Sequence, residues 1–388
     1  MCSRETRSHD QYILDDSPII IRFLSLVIHN LWLLPWGTFL MPMQRTPIVE
    51  EDIRFVLAEC RDELQALSGK TLLLTGGSGF VGSYLVESII AFNRIHDGAP
   101  CRLLLPTRSL AATQAKWPHF FGIKDIVWFE WDGQTLQPPS EKCDYVIHAA
   151  SPADPASYQH APMRAMEDIA YGTGAVLHYA KRAGVHALLY LSSGAVYGRQ
   201  AADIDAFEEV NQGAPSLTEF SSCYGEAKRY AELLCRASGV PTIIARLFAF
   251  VGPYQDIEGS FAVPDFIRQA LRNKAIHIHS DGSALRTYCY ASDLTIGLWK
   301  LLLNGKPGEL YNVGADVPRV SIRALAEMIA NQVGNVQVAV EGKSSAGPRS
   351  RYIPNTGKFK QLYSARIDLA EGLRRTLASY QHSLDNAP

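Results

Sequence analysis

The sequence has no CxxC pair, although it holds seven cysteines, at positions 2, 60, 101, 143, 223, 235 and 289. Their odd number and loose spacing exclude a disulfide scaffold and a structural zinc site, and no metal is called for. A reducing, cytoplasmic compartment is the expectation that follows. Positive charge is not in excess either. The chain has 37 Lys and Arg against 39 Asp and Glu, a formal net charge of −2. With no long basic run, nucleic acid is excluded as a partner. Internal repeats and low-complexity tracts are absent. What remains is 388 residues, 47% hydrophobic and 20% charged, which is the composition of a globular chain with a sizeable core.

One stretch departs from that pattern. Residues 18–43, PIIIRFLSLVIHNLWLLPWGTFLMPM, are long enough to span a bilayer, yet Arg22, His29, Asn30, Pro35 and Gly37 interrupt them. No small-residue cleavage site follows, which argues against a removed signal peptide. Three readings of residues 1–45 stay open. They are an extension of the folded body, a hydrophobic anchor making membrane contact through residues 18–43, or an early start codon.

Beyond residue 45 the chain alternates. The spacing of Ile53, Val56, Leu57, Leu64 and Leu67 predicts one helix over residues 48–68 that leans on the first strand. Apolar runs at residues 71–75, 102–105, 126–129, 145–148, 187–191 and 242–245 lack polar alternation, as strands buried on both faces do. Helical segments lie between most of them, including 163–182 and 224–237, with later ones at 261–273, 292–303 and 321–332. The class is therefore α/β: a Rossmann-type doubly wound parallel sheet with a smaller C-terminal substrate-binding lobe. The expected division is an extension over 1–45, a dinucleotide-binding domain over 46–250 and a mainly substrate-binding lobe over 251–388. The start of the tail, EGKSSAGPRSRYIPNTGK over residues 341–358, reads as a loop.

The first strand runs into Gly76-Gly77-Ser78-Gly79-Phe80-Val81-Gly82. Gly76, Gly79 and Gly82 permit a tight turn and a close approach of backbone to a pyrophosphate. The opening of the helix at Phe80 and Val81 then offers free N–H groups. A Gly-rich turn alone is weak evidence, and the strand before and helix after it give it weight. At the end of the second strand stand Thr107 and Arg108 with no carboxylate, a pattern that leans to a 2′-phosphate and hence NADP over NAD. A solvated surface arginine explains Arg108 nearly as well. Asp132, after the third strand, is placed to accept from an adenine amino group. Ala149 and Ala150, after the fourth, are small enough for a cofactor to pass.

Tyr224 and Lys228 form a Y-x-x-x-K pair, which shares one helix face. The ammonium is expected to lower the phenol pKa and make it a usable acid/base. Such pairs are common by chance. Ser193 ends a buried strand in LSSGAVYG, where a hydroxyl can meet the substrate oxygen that Tyr224 serves. Strand-end capping is the plainer role for Ser192 and Ser193.

Taken in order, the glycine motif, HAAS, SSGAVYG, YGEAK and SDGSALRTYCYASDL resemble the NAD-dependent epimerase/dehydratase family, the extended short-chain dehydrogenases, over residues 70–335. The resemblance implies NAD or NADP in the first lobe and a nucleoside diphosphate-sugar in the second. It implies Ser193 as substrate clamp, Tyr224 as acid/base and Lys228 as cofactor clamp. Arg286 matches the family position that approaches the substrate diphosphate. Relatives of this kind often form homodimers through two helices per subunit, so the resemblance implies a homodimer here through 163–182 and 224–237.

The departures narrow the reaction. Dehydratases of the family carry Asp-Glu directly after the position of Ser193, and decarboxylases carry a Glu there. Here those places hold Gly194 and Ala195. Ile169 and Ala249 replace asparagines found in many relatives. Without the carboxylates, 4,6-dehydration is disfavoured. A 4-epimerase is the leading expectation. An NADPH-dependent 4-ketoreductase and a UDP-glucuronate decarboxylase-like enzyme are the alternatives, the latter because HAASPADPASY resembles that branch. A sterol or flavonoid-type alcohol dehydrogenase shares the fold, but Arg286 favours a diphosphate-bearing substrate. A cofactor-sensing regulator is the non-enzyme reading, and intact Tyr224 and Lys228 weigh against it.

Overall fold

The computed structural model describes Met43 and residues 45–140, 142–343 and 349–385. The expectations for the N-terminal extension fall outside the described residues, apart from Met43 and Arg45. Among the described residues, no helix is long and apolar enough to cross a membrane.

Seven parallel strands form the central sheet. Six of them are β1 (Thr71–Thr75), β2 (Arg102–Thr107), β3 (Ile126–Glu130), β4 (Tyr145–His148), β5 (Ala187–Ser193) and β6 (Thr242–Leu247). The order across the sheet is strand Leu310–Val313, β6, β5, β4, β1, β2, β3. Every residue of β1 and β5 is buried, which explains their unbroken apolar runs. The chain winds outward from β1 to β3, crosses back to β4, and winds outward the other way. Order therefore reverses between β1 and β4, and a crevice opens beyond their carboxyl ends. Helices Phe80–Ile95, Pro162–Ala183, Cys223–Ala237 and Ala291–Asn304 cover the two faces.

After β6 the chain builds a smaller layer. Helices Ala262–Asn273, Ile322–Val333 and Leu369–Asp385 share a core with strand Ala275–Ile278, centred on Ile267, Ile276, Leu325 and Leu373. Three short strands, Val320–Ser321, Leu285–Arg286 and Arg351–Tyr352, lie side by side. Buried Asp52 ties the layers together. It accepts from Tyr84 Oη at 2.9 Å, Tyr290 Oη at 2.7 Å and Arg375 Nη1 at 2.9 Å.

Some sequence expectations need correction. The helix placed over 48–68 is two helices, Pro47–Glu59 and Arg61–Ala66, broken at Cys60. The first packs on helices Phe80–Ile95, Ala291–Asn304 and Leu369–Asp385 rather than on β1. The seventh strand was hidden in a four-residue run, and it returns the chain to the main sheet well after residue 250. Within residues 341–358, read as a loop, Arg351–Tyr352 forms a short strand, and beyond them the 17-residue amphipathic helix Leu369–Asp385 packs on the second core.

Candidate active site

Gly76 has φ +75°, a left-handed conformation that favours glycine, and a Cβ there would lie 2.8 Å from Ala149 C and Ala150 N. At Gly82 a Cβ would fall 2.1 Å from Gly76 O. These two glycines thus press the turn against the first turn of the helix and against the end of β4. Gly79 occupies the N-cap position of helix Phe80–Ile95 with no side-chain cap. The first N–H groups of that helix, at Phe80, Val81 and Gly82, have no intrahelical acceptor, which is the arrangement that suits an anion. Trp117 Nε1 donates to Ser78 O at 3.0 Å and Lys116 Nζ reaches the same oxygen at 3.5 Å, closing the turn from the other side. Neither residue stands out in the sequence.

His148 explains why Ala149 and Ala150 sit where they do. Burial pulls its pKa down to about 3, with nearby Lys228 acting in the same direction, so the ring is neutral. Nδ1 lies 2.7 Å from Thr75 Oγ1 and Nε2 lies 3.1 Å from Thr173 Oγ1. Thr75 Oγ1 also accepts from the Ala150 N–H at 3.1 Å. Either tautomer satisfies both contacts, because each threonine hydroxyl can donate or accept. This buried chain fixes the backbone of Ala149 and Ala150 against Gly76. Glycines, free helix N–H groups and small strand ends together fit a dinucleotide.

Arg108 lies exposed just past β2. Asp132 is exposed too, and its Oδ1 accepts from the N–H groups of Gln134 and Thr135 at 2.8 and 3.1 Å. Those two bonds hold its carboxyl below the usual range and brace the turn. The turn is thus a demonstrated role for Asp132, alongside the adenine contact expected of it.

Ser193, Tyr224 and Lys228 converge at the carboxyl end of β5. Ser193 Oγ accepts from Ala195 N at 3.1 Å and lies against the Tyr224 phenol, which it stabilises in the ionised form. Ser151 Oγ, buried without a well-formed hydrogen bond, acts on Tyr224 in the same direction. Burial nevertheless outweighs both and pushes the phenol up to about 12. The lysine does not lower it as expected. Lys228 is 2% exposed, and burial pulls its own pKa down to about 7. Its Nζ donates to Leu191 O at 2.8 Å and lies 4.9 Å above the Tyr190 ring and 5.9 Å above the Tyr224 ring. Ser192 turns the other way and donates to Glu232 Oε1, which forms a buried bidentate pair with Arg246 at 2.9 and 2.6 Å.

This chain matches the NAD dependent epimerase/dehydratase family over residues 72–314, a span that contains the turn, the strand ends and the Ser193–Tyr224–Lys228 set. The chain belongs to that family. It is accordingly an enzyme, with NAD or NADP as its cofactor class. Among curated proteins it is similar to UDP-glucuronic acid decarboxylase 6 of Arabidopsis thaliana, 29% identical over 313 residues, covering 79% of this chain and 87% of that protein. UDP-glucuronic acid decarboxylase 1 of Xenopus tropicalis is 28% identical, covering 87% and 82%. Among solved structures, the UDP-glucose 4-epimerase of Thermotoga maritima superposes with a TM-score of 0.67 at 22% identity, covering 81% of this chain and 99% of that one.

The epimerase-family site has further walls that sequence reasoning did not single out. Tyr158 stacks on Tyr224, with ring centroids 5.2 Å apart and planes 14° apart. Tyr352 closes the far side, its ring 6.0 Å from the Arg286 guanidinium. Arg286 Nη1 donates to Leu285 O at 2.8 Å and Nη2 to Ser350 Oγ at 3.3 Å, so it is held on the same short strands. Tyr158 lies in the quoted HAASPADPASY run, but no periodicity marks it. Tyr352 lies in a stretch that reads as loop.

Proposed function

We propose that this enzyme oxidises a nucleoside diphosphate-sugar at C4, lets the 4-keto sugar turn over in the site, and returns the hydride to its opposite face, so that its product is the C4 epimer. The observation that carries this reading is the chemistry around Ser193. The Tyr224 and Tyr352 phenols lie against it, Ser151 and Tyr158 lie against Tyr224, and the residues after it are Gly194 and Ala195. Oxidation of a secondary alcohol needs one proton acceptor and one hydride acceptor. A bound nicotinamide dinucleotide supplies hydride acceptance and donation, and its oxidised ring adds a positive charge. Tyr224 takes the hydroxyl proton and later gives it back, and Ser193 orients the oxygen by hydrogen bonding. Lys228 holds the ribose side, and Ser193 and Ser151 are the groups that favour the Tyr224 phenolate. Arg286 offers a planar fork of donors to the diphosphate. Gly76, Gly79, Phe80, Val81, Gly82, Ala149 and Ala150 hold the dinucleotide, with Arg108 and Asp132 at its adenosine end.

A decarboxylase is the second reading, and the similarity to UDP-glucuronic acid decarboxylases favours it. Its first step is the same oxidation at C4. The absence of an acid at 194 and 195 weighs against it. Incubation with UDP-glucose, UDP-galactose and UDP-glucuronate, followed by NMR, separates the two. A C4-inverted hexose supports epimerisation, and a pentose with released carbon dioxide replaces it with decarboxylation. No change in any nucleotide sugar would sink both.

Self-association completes the proposal. Met163, Met166 and Tyr171 on one helix, and Tyr230 and Leu233 on another, are 40–72% exposed. The two helices pack on each other and offer a surface suited to a two-fold homodimer. A monomeric mass in solution at micromolar concentration would contradict it.

A further inference from the structure

Ser192, next to the substrate serine, is bound by a carboxylate that the proposed chemistry does not use. Tyr224, Lys228 and Glu232 stand four residues apart on helix Cys223–Ala237 and share the face that packs on β5. Each meets the end of that strand. Tyr224 lies against the Ser193 hydroxyl, Lys228 Nζ donates to Leu191 O at 2.8 Å, and Glu232 Oε1 accepts from Ser192 Oγ. Glu232 is buried, and its two oxygens also accept from Arg246 Nε at 2.9 Å and Nη2 at 2.6 Å. Arg246 comes from β6, where it pairs with Ser192 across the sheet, and its guanidinium lies 4.7 Å from the centre of the Tyr197 ring. Glu232 is thus held from two strands on the helix face it shares with Lys228.

A buried ion pair is a poor device for stability alone. Taking both charges out of water offsets their attraction, and an apolar pair of similar volume often serves as well. The surroundings of Lys228 show what else this pair can do. Lys228 faces His148 of β4, Tyr190 of β5, and Tyr224, Glu232 and Cys235 of its own helix. Burial lowers His148 to about 3 and raises Tyr224 and Cys235 to about 12. It raises Tyr190 as well, so these four are uncharged at neutral pH and Glu232 is the one anion in the group. Burial pulls Lys228 down to about 7, opposed by Cys235, were it ionised, and by Glu232.

We propose that Glu232 is a positioning residue for cofactor binding: held by Ser192 and Arg246 one helical turn from Lys228, it keeps that side chain an ammonium for the nicotinamide ribose. This rests on the cofactor-clamp role of Lys228. It goes further by giving the Glu232–Arg246 pair behind the site a part in binding, and by linking that part to pH.

The test is NAD titration of the full chain, followed by tryptophan fluorescence over about pH 5–9. Wild-type affinity should begin to fall as pH rises through about 7, where Lys228 of the free protein loses its proton. In Glu232→Gln the fall should begin about one pH unit lower, because a cation has lost its neighbouring anion. That variant leaves Arg246 buried without its partner and can fail to fold. Glu232→Leu combined with Arg246→Met removes both charges, keeps the space filled, and should show the same displacement with circular dichroism unchanged. A folded variant of either kind that keeps the wild-type profile, or a double variant that does not fold, would make the pair a structural element and overturn the proposal. Lys228→Met separates this inference from its premise. It should abolish the pH step, and a step that persists would overturn the clamp role of Lys228, and this inference with it.

Discussion

Replacing Gly82 by alanine tests the dinucleotide cradle through one methyl group. The added Cβ would lie 2.1 Å from Gly76 O and 2.8 Å from Gly76 C and Gly77 Cα. All three are backbone atoms, so no side chain can swing away. The turn and the helix must part by more than an ångström before the contact becomes ordinary. Overpacking of this kind costs about 1–3 kcal/mol. Part of that strain is relieved by moving the turn away from the geometry that fits a pyrophosphate. If most of it falls on the bound state, cofactor affinity drops about 5- to 150-fold, at about 1.4 kcal/mol per tenfold. The assay is NAD titration followed by quenching of tryptophan fluorescence, with circular dichroism to confirm folding. Gly174→Ala is the control. Nothing lies within 4 Å of a Cβ there, and the residue is inside helix Pro162–Ala183, where alanine is the better helix former. Unchanged affinity in the Gly82 variant would refute the role given to the turn.

Tyr224→Phe should lower turnover about 10²- to 10⁴-fold while cofactor titration stays near wild type, and retained turnover would remove Tyr224 from the chemistry. Lys228→Met should raise the melting temperature as activity is lost. The folded pKa of Lys228 is about 7 against 10.5 for the free side chain, so the penalty is full below about pH 7 and fades towards pH 10.5. A stabilisation that grows above pH 9 would contradict this. Asp52 has the opposite sign. Burial raises it from 3.8 to about 6, so its contribution is full below about pH 4 and is lost as pH rises through 6. The gap in melting temperature between wild type and Asp52→Asn should shrink from pH 4 to pH 7, and a gap that widens would mean that the Arg375 pairing dominates. Arg108→Ala should weaken NADPH more than NADH, and equal losses would make it a bystander.

The sheet was legible because its strands are buried on both faces and carry unbroken apolar runs. The glycine turn was legible because Gly76 and Gly82 meet backbone, which only glycine tolerates. Strand Leu310–Val313 was missed because four residues, Leu-Tyr-Asn-Val, carry no period, and its buried Asn312 is satisfied by tertiary partners such as Phe207 O at 2.8 Å. The two helices over residues 47–66 looked like one because the apolar stripe continues across the break at Cys60. In the site, chain-local patterns found Ser193, Tyr224 and Lys228. They could not find Tyr352, which reaches Ser193 only through the pairing of short strands. Nor could spacing show that burial would raise the Tyr224 phenol, against the expected direction, and lower the Lys228 ammonium.

The most direct measurement uses a nucleotide sugar deuterated at C4. Hydride removal and return in one site predicts product that keeps the deuterium at C4, with no net reduced nicotinamide and no exchange from solvent. Deuterium lost to free nicotinamide or to water would contradict that account.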